Sequence, residues 1–86
     1  MPKFRKKPVI IEAVQWTGHN DFEIVRFAGD QIQFLSGEHE EHKIRVFTLE
    51  GYTIANPNDW ILKDVEGEFY ACKPGIFVKT YDLVEE

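Results

Sequence analysis

Between Pro8 and Trp16 the chain reads PVIIEAVQW, with Ile10, Val14 and Trp16 on one side of an extended backbone and Val9, Ile11 and Ala13 on the other. This pattern predicts a strand that is apolar on both faces and interior to its sheet. The period then lengthens. In TGHNDFEIVRFAGD, Asn20 stands where an N-cap belongs, Glu23 takes the third helical position, and Gly29 suits the left-handed residue after the last turn. A short helix over about Asp21 to Ala28 is predicted, resting Phe22, Val25 and Ala28, flanked by Ile24 and Phe27, on the sheet.

Alternation returns in QIQFL (31–35), stops in the acidic loop SGEHEEHK, and resumes in KIRVFTL (43–49) and YTIAN (52–56). The intervening Glu50-Gly51 is a type I′ hairpin signal, pairing Ile44 to Leu49 antiparallel with Tyr52 to Ala55. NPND interrupts the pattern, WILK restores it, DVEG turns, and EFYAC supplies a last strand. Pro74 then fits the first turn of a helix carrying Ile76, Phe77 and Tyr81. Together these elements predict an α+β domain. Its mostly antiparallel sheet has five to six short strands, with one short helix in the N-terminal third and a short C-terminal helix.

With 86 residues the chain is expected to be a single domain over 1–86, and its 43% hydrophobic and 29% charged residues are enough to fold it. A chain this short buries only about 60–65% of its unfolded surface, so self-association, as a homodimer first, is the expected supplement to a thin core. Cys72 is the only cysteine, which rules out an internal disulfide and favours a reducing cytosol. The apolar run after the basic start MPKFRKK is broken by Glu12, too early for a signal peptide or membrane span.

Lys3, Arg5, Lys6 and Lys7 supply four of the ten basic residues and all fifteen acidic ones follow, so residues 8–86 carry 6 − 15 = −9. A body this acidic repels phosphate backbones, and no direct nucleic-acid binding is expected. Residues 1–7 read as a basic, solubilising arm.

Candidate chemistry is sparse. His39 and His42, three apart among glutamates, are the weak metal candidates; the glycine and charge around them indicate an exposed loop without the rigidity of a metal site. Cys72 beside Lys73 has the look of an activated thiol, yet it also reads as a small apolar residue closing a strand. Glu66 and Glu68 flank Gly67 at a solvated turn. Most of the aromatic residues belong to the core. A ligand reading gathers Trp16, Arg45, Tyr70 and Lys73 into a shallow pocket for a planar, phosphate-bearing molecule, with rings to stack on and cations to meet the charge. No nucleophile–base set, metal pattern or phosphate loop can be assembled, so the expectation is a protein that is not an enzyme and needs no cofactor.

EAVQWTG near the start, TLEG in the middle and DWILKDVEGEFYACKPGIFVKTY near the end resemble a family of small phage and prophage proteins over most of the chain. Three departures stand out: Asn58 for a glycine, Ala71 for a proline, and Gly75 for an aspartate that would favour a helix start. The resemblance implies an accessory protein made in the bacterial host cytoplasm and carries no catalytic residues. The expectation that follows is a binding protein that modulates a host process such as antiviral defence. Its target is either a host protein or a small nucleotide-like ligand sequestered between subunits. The alternative is a minor structural or morphogenetic part of the virion.

Overall fold

The computed structural model describes residues 1–5 and 8–84. Strand β1 (Glu12–Gln15) is followed by helix α1 (Asp21–Ala28), then by β2 (Ile32–Phe34), β3 (Ile44–Thr48), β4 (Gly51–Ala55), β5 (Trp60–Lys63) and β6 (Phe69–Cys72), and helix α2 (Pro74–Thr80) closes the order. The fold is α+β, with all strand pairs antiparallel. The strands divide between two three-stranded sheets, ordered β1-β5-β6 and β2-β3-β4. Lys6 and Lys7 of the basic arm lie outside the described residues.

The strand buried on both faces is β5, not the first one. Val9 and Ile10 are exposed and precede β1, which spans only Glu12–Gln15 and lies at a sheet edge. In β5, Ile61 joins the core, and its register partners Val14 and Ala71 pack against that core. Its neighbour Leu62 is buried on the opposite face, where Trp60 stacks on Phe77 of α2 at 4.1 Å and 8°. The central position gives WILK partners on both sides, which the PVII run lacks.

Helix α1 has the expected bounds but buries a different stripe. Ile24 and Ala28, one turn apart, are buried, and Phe27 meets Phe69 edge-on at 5.4 Å. Phe22 is 88% exposed and Val25 is also exposed. The cap differs too. The Asn20 side-chain oxygen accepts from the Thr17 N–H and hydroxyl, while its amide donates to the Gln15 carbonyl and to Glu23. No side chain caps the first turn, and the Asn20–Glu23 contact clips the helix start to the end of β1 instead of forming a capping box. At the other end Gly29 has a positive φ, 58°, but its ψ of −127° lies outside the left-handed helical region expected there.

The β3–β4 hairpin also shifts by one residue. Thr48 pairs with Gly51, so the loop residues are Leu49 and Glu50. Neither has the positive φ that a type I′ turn requires; that falls on Gly51, at 135°. Asn58, by contrast, takes a left-handed φ (79°), which asparagine adopts more readily than most residues. With Pro57 before it and the Asp59 N–H bonded to the Asn56 carbonyl, NPND forms a type II turn.

The core joins both sheets to α1 through Trp16, Ile24, Ala28, Ile44, Val46, Ala55, Ile61 and Phe69. Because Ile61 is fully buried between the two sheets' contributions to that core, Ile61→Ala is expected to cost about 2–5 kcal/mol in denaturant unfolding. Phe22→Ala, at an exposed helical position, should stay within about 0.5 kcal/mol of wild type in the same experiment.

Candidate functional site

Trp16 follows β1 and is only 2% exposed. Its main-chain N–H donates to the Asp59 carbonyl, its carbonyl accepts from Asn58, and its indole N–H donates to the His42 carbonyl at 2.7 Å. These bonds draw the 17–20 loop and the 36–43 loop together. Gly18, at φ 93°, sits against Pro57 and His42; a Cβ there would lie 3.7 to 3.8 Å from both, so conformation rather than space favours glycine. His42 itself has a left-handed φ of 61°.

A cleft of about 470 Å³ opens where these loops meet. Trp16, Phe22 and Phe34 form its aromatic side, and His19, His42 and Lys43 its nitrogen-bearing side. The rings of His19 and His42 lie edge-on, 5.6 Å between centroids. Asp21 also lines it, adding a carboxylate that tempers any anion preference. The cleft offers stacking and hydrogen bonding, with no hydroxyl or thiol nucleophile in its lining.

Of the four residues expected to share a ligand pocket, only Trp16 lines this cleft, and its indole N–H is already used internally. Arg45, on β3, bonds Gln33 at 3.0 Å and lies over the Tyr52 ring at 4.5 Å, while its buried Nε has no hydrogen-bond partner among the described residues. The Tyr70 hydroxyl donates to Asp64 at 2.7 Å. The Lys73 ammonium meets the buried Asp59 carboxylate at 2.9 Å, and that same oxygen accepts from the Asn56 N–H. The polar ends of Tyr70 and Lys73 therefore lock turns in place. The histidines also pair differently from the sequence expectation: His42 faces His19, while His39 lies beside Glu38 in an exposed loop. Among the described residues, no group of three or more His, Cys, Asp or Glu could hold a metal ion.

No protein-family model, curated protein or solved structure matches this chain. Its chemistry is therefore read from its own groups. Burial pushes the Cys72 thiol up, and the nearby Asp59 carboxylate adds to the effect, so the thiolate is disfavoured. Sequence reasoning missed His19 and Phe22 as cleft residues. The signal available was TGHN, whose glycine and following helix start mark a tight loop, but nothing local indicates that the loop meets residues 42–43.

Asp64 organises the opposite end of the molecule. Its Oδ1 accepts from the Glu66 and Glu68 N–H groups, and its Oδ2 from Tyr70. The Tyr70 bond, followed by the main-chain donors, holds the Asp64 carboxyl below its usual range; the same bond raises the Tyr70 phenol. The lowered carboxyl contributes stability that is present above the unfolded value near 4 and lost as pH falls through the folded one. The raised phenol contributes stability that is present below about 10 and lost as pH rises through its folded value. Tyr70→Phe is expected to reduce both the alkaline and the acid dependence, seen as a flatter plot of unfolding midpoint against pH. An unchanged plot would show that the bond is not maintained in solution.

Proposed function

We propose that this chain is a non-enzymatic accessory protein of phage or prophage type, acting in the bacterial host cytoplasm by binding and working as a homo-oligomer. The observation that carries the binding reading is the outer face of the second sheet. Phe47, Tyr52 and Ile54 are 38%, 51% and 37% exposed there, beside Arg45. An exposed apolar patch ringed by polar residues is the usual mark of an interaction site. Among the described residues no helix is long and apolar enough to cross a membrane, so this patch is not explained by a helical span. The phage context rests on the resemblance of the DWILKDVEGEFYACKPGIFVKTY block.

A host protein is the target that the acidic surface favours, because a chain of net charge −5 is attracted to basic grooves such as those that normally hold nucleic acid. Modulation of antiviral defence is the host process proposed. A small nucleotide-like ligand is the second target. The cleft beside Trp16 supports it with three aromatic side chains, two imidazoles and Lys43. The open strand β4 favours a further reading, a minor virion component, since an unpaired edge can be continued in an assembly.

Native mass spectrometry of the tagged chain drawn from a bacterial lysate tests these readings together. The expected result is a homo-oligomer carrying a host protein. That complex should dissociate as salt rises, because the screening length shrinks from about 10 Å at 0.1 M to about 3 Å at 1 M. A small added mass in place of a protein would select the ligand reading. A bare chain from both uninfected and infected cells, together with its presence in purified particles, would overturn the accessory reading in favour of the virion.

A further inference from the structure

Two three-stranded sheets leave four outer strands, and three of them are guarded. β1 carries Glu12, and its Gln15 side chain bonds the Asn58 carbonyl. β2 has only three residues. β6 is buried at Phe69, half-buried in its other residues, and runs into Lys73-Pro74. β4 differs. Its sequence Gly51-Tyr52-Thr53-Ile54-Ala55 has no charge and no proline, and Gly51 to Ile54 are exposed. Thr53 is exposed although its partner Val46 is fully buried, so β4 is uncovered on both faces from Gly51 to Ile54, and only Ala55 is buried in the core. Edge strands normally carry charges, prolines or bulges that prevent pairing with another chain.

With a two-residue loop closed by Thr48 and Gly51, the alternation of an antiparallel ladder turns the main-chain N–H and C=O of Tyr52 and Ile54 away from β3. We propose that β4 pairs antiparallel with β4 of a second copy, about a twofold axis at Thr53, joining the two β2-β3-β4 sheets into one of six strands. The proposal rests on the homo-oligomer part of the function proposed above and names its surface. The edge is where charge permits a second copy, and its self-complementary register selects one. The chain carries −5, so most contacts between copies set carboxylates against one another, whereas this edge opposes no charge to another.

The register is also self-complementary. It sets Tyr52 opposite Ile54 of the second copy, Ile54 opposite its Tyr52, and Thr53 opposite its own counterpart. Aromatic with β-branched and threonine with threonine are favourable cross-strand pairs. On the outer face, Phe47 and Arg45 flank each such row through their own pairing with Tyr52 and Ile54, which gives one continuous aromatic and aliphatic strip. A C2 contact of this kind closes both β4 edges and stops at two copies.

The test combines native mass spectrometry with amide exchange by NMR on the full chain over a dilution series. The wild type should show twice the chain mass, with Tyr52 and Ile54 amides exchanging about tenfold or more slowly when concentrated than when diluted to monomer. Thr53→Lys opposes two lysines across the axis, and Ile54→Pro removes one outward N–H; each should lose the dimer mass while keeping the circular dichroism of the fold. Should either variant unfold, the wild-type exchange series still decides. A dimer whose Tyr52 and Ile54 amides exchange at the same rate at every concentration overturns the β4 interface but leaves the homo-oligomer reading intact. A monomer throughout overturns both. An open-ended series of masses overturns the twofold, and protection appearing only with a captured host protein makes that protein the occupant.

Discussion

Trp16 is the residue that the two-sheet arrangement turns on. Its ring belongs to the core shared by both sheets, its main chain bonds both ends of the Asn58-Asp59 segment, and its indole N–H bonds the His42 carbonyl ahead of β3. A buried indole donor without a partner costs about 1–3 kcal/mol, so the 36–43 loop is held where it can satisfy Trp16. The cleft between His19, His42 and Phe22 is a consequence of that constraint. So is the left-handed backbone of His42, whose carbonyl faces the indole.

A second constraint is economy. Each sheet has three strands and each helix two turns or so, leaving too little material to cover every apolar side chain. The core takes residues that touch both sheets; Phe22, Leu49, Tyr52, Val78 and Leu83 remain outside it. The outer face of the second sheet is where this shortage is most organised, because Phe47, Tyr52 and Ile54 fall there by strand alternation alone.

Local chemistry in the sequence accounted for much of this. All six strands and both helices follow from alternation, proline and glycine positions read residue by residue. What local pattern cannot supply is which strand gains neighbours on both sides. The run PVII looked interior, yet Val9 and Ile10 are exposed, while WILK sits between β1 and β6. The same gap explains α1, whose buried stripe was set by where Phe69 lies, and the Glu50-Gly51 signal, displaced one residue by the pairing of Thr48 with Gly51. Of the site, Trp16 was legible as an aromatic beside a tight loop. The engagement of Tyr70 with Asp64 and of Lys73 with Asp59 was not, because each joins residues whose meeting depends on strand register.

The most direct measurement on the Trp16 constraint is the exchange rate of its indole N–H by NMR under native conditions. The structure predicts exchange as slow as the main-chain amides of Val46 and Ile61, opening only with global unfolding. An indole proton that exchanges as rapidly as the exposed amides of the 36–42 loop would contradict it. That outcome would mean the bond to His42 is not a fixed part of the fold, and the cleft beside it would lose its structural basis.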